Sequence, residues 1–155
     1  MPAEEWRLSE EGRLRCGPLA ERLAGYGPRT LLTSTEPKAR ETAELVAPVL
    51  GLRVQLSDAL RETARRSVGW LASEEFDQGI RELFERPGEV VFGEDSAAEA
   101  LARFRRAVAD LEEPAVVVTH GTVLSLYAAA RTCRDPYELW RGLELPEVVE
   151  VPWSS

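Results

Sequence analysis

The sequence predicts a single layered α/β domain with a largely parallel sheet, and three observations carry this prediction. Apolar residues at helical spacing alternate along the chain with short apolar runs that are typical of strands. One of these runs, Ala115–Thr119, has no polar alternation, which is typical of a strand covered on both faces. The length of 155 residues and the 44% hydrophobic content suffice for one core and are too small to suggest two.

The first helix is predicted from its capping residue and its apolar spacing. Ser9 is a good helix N-cap, because its side-chain oxygen can accept from a backbone N–H of the first turn. We expect Leu14, Leu19 and Leu23 to face one way, toward the core. Gly25 is expected to stop this helix.

The next elements form a strand, a helix and a second strand. Thr30–Thr33 is predicted to be a short apolar strand. Pro37 suits an early helical position and Gly51 is a natural stop, so a helix is predicted between them. Leu52–Leu56 is predicted to be the second strand.

The third predicted helix follows an irregular, charged stretch. It presents an apolar stripe and ends at Pro87, which a helix cannot include without losing a hydrogen bond. Its stripe consists of Phe76, Ile80, Leu83 and Phe84.

In sequence, one further predicted helix precedes the Ala115–Thr119 strand, and another helix and a last strand follow it. Ser96 and Glu99 have the spacing of a capping box, which predicts the start of a helix. Another helix is predicted from Thr122 onward. Val148–Val151 is predicted to be a last strand.

Charge and hydropathy exclude several classes of partner. The formal net charge of −8 and the pI near 4.8 disfavour nucleic acid and anionic membranes, which would repel the chain on average. A small anionic ligand in a locally cationic pocket remains compatible with this charge. No apolar run approaches the roughly 20 residues that span a bilayer, and the first residues lack the pattern of a signal peptide. We therefore expect a cytoplasmic protein.

The cysteines and the single histidine indicate no metal centre. Cys16 and Cys133 lie far apart without a CxxC pair, so we expect two small buried hydrophobes and neither a zinc site nor a disulfide. His120 has no neighbouring cysteine or paired carboxylate in the sequence, which is a poor set of metal ligands. We expect no metal and no organic cofactor.

Three polar features follow predicted strands, where ligands of open α/β sheets bind. These are the segment Ser34–Arg40 at a predicted helix start, Glu62 after the second strand, and His120 after the buried strand. Cations, a carboxylate and a histidine around helix N-termini would suit phosphoryl chemistry, since positive groups stabilise the equatorial oxygens.

Each of these residues also has a structural interpretation. Lys38 and Arg40 could be solvated residues of an amphipathic helix. Glu62 could be a surface charge. His120 could be a core histidine with satisfied hydrogen bonds, although the following Gly121 permits close backbone approach and favours a functional role.

Three segments together resemble the histidine phosphatase superfamily, which is phosphoglycerate-mutase-like. TSTEPKARETAE is similar to that family's strand end followed by a cation, Ala and Thr-Ala; LRE is similar to its Leu-x-Glu, and VVVTHG to its second-histidine motif. The three segments occur in the family's order. GEDSAAEALARF and LWRGLELPEVVEV are similar to one bacterial branch, so the resemblance covers nearly the whole chain. It implies a three-layer α/β/α fold.

The resemblance also implies roles for individual residues. In the family, a first histidine in an Arg-His-Gly motif attacks phosphorus, a second histidine and two arginines hold the phosphoryl oxygens, and a carboxylate protonates the leaving oxygen. His120 matches the second histidine and Glu62 a candidate catalytic acid. Lys38 takes an arginine position, and as a point charge it grips phosphate less well than a forked guanidinium. Arg40 is a phosphate ligand only if the helix turns it inward.

The sequence departs from the family in one large respect. It contains no Arg-His-Gly, and His120 is its only histidine. Its first residues, PAEEWRLSEEGR, resemble the region directly after the catalytic strand, which implies that this strand is missing. In the family that strand lies beside VVVTH, and its loss would leave an edge that invites pairing with another chain. We predict either a sheet closed by Val148–Val151 or a homodimer across the gap.

Three functions follow from this interpretation. The first is a phosphatase or phosphoryl-transfer enzyme that works through phosphohistidine in its complete form, of which this chain is a shortened form. The alternative is a natural non-catalytic relative that binds phosphate or a phosphorylated molecule, or that acts only as an interaction partner. The third is a purely structural domain. Because no nucleophilic histidine is present, we expect this polypeptide to be inactive or nearly so toward phosphomonoesters.

Overall fold

The computed structural model describes residues 6–152, in which helices and short strands alternate. The elements are α1 (Glu10–Ala24), β1 (Thr30–Thr33), α2 (Pro37–Leu50), β2 (Val54–Leu56), a 3-10 turn (Asp58–Leu60), α3 (Ser73–Glu85), α4 (Ala97–Val108), β3 (Ala115–Val118), α5 (Gly121–Thr132) and α6 (Pro136–Gly142). The predicted α/β class is confirmed.

The three strands form one parallel sheet in the order β2-β1-β3. The register pairs Leu31 with Val54 on one side and with Val116 on the other. Every residue of β1 is buried, whereas the residues of β3 are half-buried. The prediction that Ala115–Thr119 is covered on both faces is therefore wrong. In the described residues, β3 pairs with a single neighbour, and the fully covered strand is β1.

The described chain divides into two compact units, each made of several segments. The first contains the residues up to Arg61 together with Ala107–His120 and Glu144–Val148. The second contains Glu62–Arg106, Gly121–Leu143 and the residues from Val149 onward. The sheet, α1 and α2 belong to the first unit, and the remaining helices belong mostly to the second. That the chain is a single domain stays a prediction.

In the first unit, α1 and α2 pack on each other, and α2 also packs on the sheet. Ser9 caps α1 as predicted, since its Oγ accepts from Gly12 N at 3.0 Å. Leu14 is wrongly predicted as a core residue, because its side chain is 79% exposed. The buried residues of α1 are Cys16, Ala20 and Leu23, and the small side chains of Cys16 and Ala20 allow close packing on α2. The core cluster consists of Ala20, Leu23, Leu31, Ala43 and Val46.

The ends of α2 follow the predicted signals. Pro37 occupies the first turn, and Gly51 ends the helix in the left-handed region at φ +66°, where glycine has no Cβ to clash. Leu52 N then donates to Ala47 O at 3.2 Å. Because this bond belongs to the helix end, β2 begins at Val54 and not at Leu52 as predicted.

The second unit contains α3, α5, α6 and most of α4. Ser96 Oγ accepts from Glu99 N at 3.1 Å, which confirms the predicted cap of α4. Phe104 is buried and stacks on Tyr127 with 4.7 Å between ring centroids.

Two further predictions are wrong. Val148–Val151 is not a strand, so it does not close the sheet. Val148 packs on the core cluster of the first unit, and Val149 and Val151 pack on a cluster of the second, so the apolar side chains are covered without strand pairing. Cys133 is exposed, whereas Cys16 is buried as expected, and both thiols are free. Burial raises the pKa of the Cys16 thiol.

Candidate functional site

His120 lies at the carboxyl ends of β1 and β3, in the first unit. Its Nε2 is 2.9 Å from Ser34 Oγ and 3.6 Å from Glu36 Oε2. The side chains of His120 and Glu36 are 14% and 15% exposed, and Ser34 is buried. The structure therefore brings the predicted histidine together with two residues of the predicted Ser34–Arg40 segment.

The backbone around Ser34 fixes this arrangement. Ser34 N donates to Val118 O at 2.9 Å, which continues the pairing with β3 one residue beyond the end of β1. Ser34 Oγ also accepts from Glu36 N at 3.2 Å. Thr119 Oγ1 donates to Leu60 O at 2.8 Å and so ties the end of β3 to the turn after β2. These bonds hold the serine hydroxyl and the imidazole at the same end of the sheet.

Glu36 gives this site a negative group that the sequence did not lead us to expect. By position Glu36 is the N-cap of α2, but its side chain makes no capping hydrogen bond. Its carboxylate is instead within ion-pair distance of the His120 imidazole. A carboxylate at this distance stabilises the protonated imidazole and opposes an incoming anion.

The two predicted cations of α2 lie on its surface. Lys38 is exposed, and its Nζ is 5.9 Å from the centroid of the Trp6 ring, near the outer limit of a cation–π contact. Arg40 is also exposed and donates through Nε to Glu44 Oε1 at 3.0 Å, one helical turn away. The helix thus does not turn Arg40 inward, which was the condition for its role as a phosphate ligand.

Glu41, a further carboxylate of α2, forms structural ion pairs with two arginines. Glu41 is buried and accepts from Arg7 Nε at 2.8 Å and from Arg13 Nη1 at 2.9 Å. The hydrogen bond from Arg7 is the main cause of the lowered pKa of Glu41. These two ion pairs tie α2 to α1 and to the segment before α1.

Glu62 belongs to the second unit, where it caps α5. Its Oε2 accepts from Thr122 N at 2.8 Å, and its Oε1 accepts from Val123 N and from Thr63 N, each at 3.0 Å. Arg65 Nη2 lies 3.6 Å from Oε2. The side chain is 18% exposed. Glu62 therefore serves as a helix cap in this structure, and its role as a catalytic acid stays a prediction.

Arg65 is a partly buried cation of the second unit. Its Nε donates to Thr63 Oγ1 at 3.1 Å, and its Nη2 donates to Thr122 Oγ1 at 3.2 Å. The guanidinium carbon lies 5.1 Å from the centroid of Phe76 and 5.9 Å from that of Phe92. No short motif marks these partners, because they come from four separate segments.

Within residues 6–152, no group of histidine, cysteine, aspartate or glutamate side chains could hold a metal ion. In the same part of the chain, no helix is long and apolar enough to cross a membrane.

Comparisons with known proteins agree with the fold and with the family that the sequence resembles. The chain has a TM-score of 0.72 and 27% identity to a mycobacterial glucosyl-3-phosphoglycerate phosphatase, over 88% of this chain and 74% of that one. That phosphatase has also been solved with inorganic phosphate and with VO3. The structure of mycobacterial hydrolase 1 has a TM-score of 0.70 and 26% identity, over 88% of this chain and 72% of that one.

A third similar structure comes from Thermus thermophilus, with a TM-score of 0.62 and 28% identity over 82% of this chain and 71% of that one. No curated protein matches the chain. The sequence model of the histidine phosphatase superfamily (branch 1) matches residues 3–151. The fold is phosphoglycerate-mutase-like. The chain therefore belongs to the histidine phosphatase superfamily.

Proposed function

We propose that this chain binds inorganic phosphate or a small phosphorylated molecule at the carboxyl ends of β1 and β3, with His120 as the central ligand. The observation that carries the proposal is the contact of 2.9 Å between His120 Nε2 and Ser34 Oγ, which places an imidazole and a hydroxyl group at one strand end. A protonated imidazole and a hydroxyl can each donate to a phosphate oxygen. The similarity to a phosphatase solved with inorganic phosphate supports this class of ligand.

Lys38 is the second ligand that we propose. It sits in the first turn of α2, where the helix dipole also favours an anion. Its long side chain makes one cation–π contact at the outer limit of distance, so little interaction energy opposes its movement toward an anion. Arg40 is the weaker candidate, because its guanidinium would first have to leave Glu44.

Glu36 is expected to limit the affinity of the site. Its carboxylate lies 3.6 Å from His120 Nε2, so a bound anion competes with it for the imidazole. Glu36→Gln removes this charge and keeps the shape of the side chain. We expect phosphate to bind the variant more tightly, with the largest gain at low ionic strength, where screening is weakest.

Hydrolysis is not part of the proposed function of this polypeptide. The covalent route needs a nucleophile in addition to the histidine that stabilises transition-state charge, and His120 is the only histidine among the 155 residues. We expect no turnover of p-nitrophenyl phosphate above background. Turnover that His120→Ala abolishes would overturn this part of the proposal.

Phosphate binding can be tested by thermal unfolding in sodium phosphate against sodium chloride of the same ionic strength. At a phosphate concentration of ten times Kd, binding adds about 1.4 kcal/mol, which corresponds to a rise in Tm of about 3–6 °C for a chain of this size. We expect His120→Ala to abolish this rise and Lys38→Met to reduce it.

Arg29→Met is the matched control. Arg29 is an exposed cation of the same unit that pairs with Glu112, but it lies next to the amino end of β1. Its removal should leave the phosphate effect unchanged. The proposal would be contradicted if phosphate raised the Tm of wild type and His120→Ala equally. It would also be contradicted if phosphate raised the Tm of wild type no more than sodium chloride does.

A second copy of the chain is the partner that we propose for the outer edge of β3. Val118 O accepts from Ser34 N, so the peptide groups of Val118 face β1 and those of Val117 face the other edge, which no described strand pairs. Val117→Pro removes an outward N–H and should weaken a dimer by several-fold. A strictly monomeric wild type over a wide concentration range in light scattering would refute the homodimer.

A further inference from the structure

Helix α5 is capped by a residue that lies about 60 positions earlier in the chain. An N-cap side chain normally accepts from the second or third backbone N–H of its own helix. The residue before α5 is His120, whose ring lies against Ser34, and the first residue of the helix is Gly121, which has no side chain. Glu62 takes over this task, because its two carboxylate oxygens accept from Thr122 N and Val123 N.

Glu62 is itself held in place by other contacts of the second unit. Its own Oε1 accepts from Thr63 N, and its backbone carbonyl accepts from Arg103 Nη2 at 3.2 Å. Arg65 lies beside Oε2 and donates to the Thr122 hydroxyl, so one guanidinium joins the carboxylate to the first turn of the helix. The carboxylate therefore meets α5 in a defined position.

We propose that Glu62 is a positioning residue, which fixes the first turn of α5, the helix that follows His120 directly in the chain. This inference rests on the proposed function, in which His120 is the central phosphate ligand. It assigns Glu62 a different task from that of a catalytic acid. A helix cap must accept hydrogen bonds continuously, whereas a carboxyl group that carries a proton loses part of its capacity to accept them.

The presence of one histidine makes the test unambiguous, because all imidazole signals in an NMR spectrum come from His120. In Glu62→Ala we expect these signals to move or broaden, and phosphate to bind about tenfold more weakly, equivalent to about 1.4 kcal/mol. Glu62→Gln retains an amide oxygen that can accept from the helix, so it should recover most of the wild-type spectrum and affinity. A residue that acts only as an acid would leave spectrum and affinity unchanged in both variants.

Ser96→Ala is the matched control for loss of a cap. It removes the Oγ that accepts from Glu99 N at the start of α4, in the same unit as Glu62. Loss of either cap should lower Tm by about 2–4 °C. The His120 signals should move in Glu62→Ala and stay in place in Ser96→Ala, which separates positioning from general destabilisation.

Wild-type His120 signals and wild-type phosphate affinity in Glu62→Ala would overturn the inference. Should that variant fail to fold, Glu62→Asp serves instead, since its shorter side chain cannot reach both amides; an unchanged spectrum there would overturn the inference equally. If the signals move in the variants but the wild type does not bind phosphate, the proposed function fails and the positioning role stands.

Discussion

Replacement of Gly79 by alanine tests the packing of the second unit beside Arg65. Gly79 lies inside α3, where Gly→Ala normally stabilises an exposed helix by about 1 kcal/mol. A Cβ at this position, however, would lie 2.3, 2.4 and 2.8 Å from three atoms of the Phe92 ring. All three distances are below 3.0 Å, so the ring or the helix must move.

The cost of this movement decides whether Gly79→Ala raises or lowers the free energy of unfolding. Phe92 is buried, and its ring meets Phe76 edge-on with 5.4 Å between centroids. Overpacking of this kind typically costs about 1–3 kcal/mol, and loss of the edge-on contact adds about 0.5–1.5 kcal/mol. After subtraction of the helix gain, we expect Gly79→Ala to lower the free energy of unfolding by about 0.5–3.5 kcal/mol.

Urea unfolding of a double-mutant cycle with Phe92→Ala checks this value. Phe92→Ala alone should cost about 3 kcal/mol or more. In that background the ring is gone, so Gly79→Ala should stabilise by up to about 1 kcal/mol, because only the helix preference remains. A gain in stability from Gly79→Ala in the wild-type background would refute the packing described here.

Two further predictions concern the first unit. The pKa of Glu41 is lowered from its ordinary 4.5, so its ion pairs stabilise the fold above that pH and this stability is lost as the pH falls below it. Tm measured from about pH 7 to about pH 3 should fall less in Glu41→Gln than in wild type, and equal slopes would contradict this. Ser34→Ala removes a buried partner of His120 and should lower the free energy of unfolding by about 1–3 kcal/mol in urea; no loss would show that the contact contributes nothing.

Helix boundaries were the most predictable part of the fold, because capping residues act locally. Ser9, Pro37, Gly51 and Ser96 each mark the boundary at which the structure places them. The same signals could have located α6, which the sequence analysis did not predict. Asp135 caps that helix by accepting from Glu138 N at 2.9 Å, directly before a proline in the first turn.

The degree of burial was less predictable, because it depends on neighbours that are distant in sequence. The apolar run of β3 correctly predicted a strand, but a run alone does not show whether both sides will be paired. Val148–Val151 has a strand-like composition, yet its side chains pack on the two core clusters and its backbone pairs with no strand of the described chain.

The site was predictable in its location and less so in its details. The rule that ligand-binding groups gather at strand ends predicts that His120 and the Ser34 segment lie close together, and His120 Nε2 lies 2.9 Å from Ser34 Oγ. It could not show that Glu36 turns toward the imidazole, or that Arg40 turns away to Glu44, since both depend on side-chain orientation in the folded chain. One signal for the role of Glu62 was present, because a helix that begins His-Gly has no good N-cap of its own. A cytoplasmic location stays a prediction.

The most direct test of the account is a titration of the protein with inorganic phosphate, followed through the NMR signals of its single imidazole. We predict a saturable shift of the His120 resonances that sodium chloride of equal ionic strength does not cause. The shift should reach half its amplitude at a lower phosphate concentration in Glu36→Gln. Imidazole signals that stay unchanged up to high phosphate concentration would contradict an anion site at the carboxyl ends of β1 and β3.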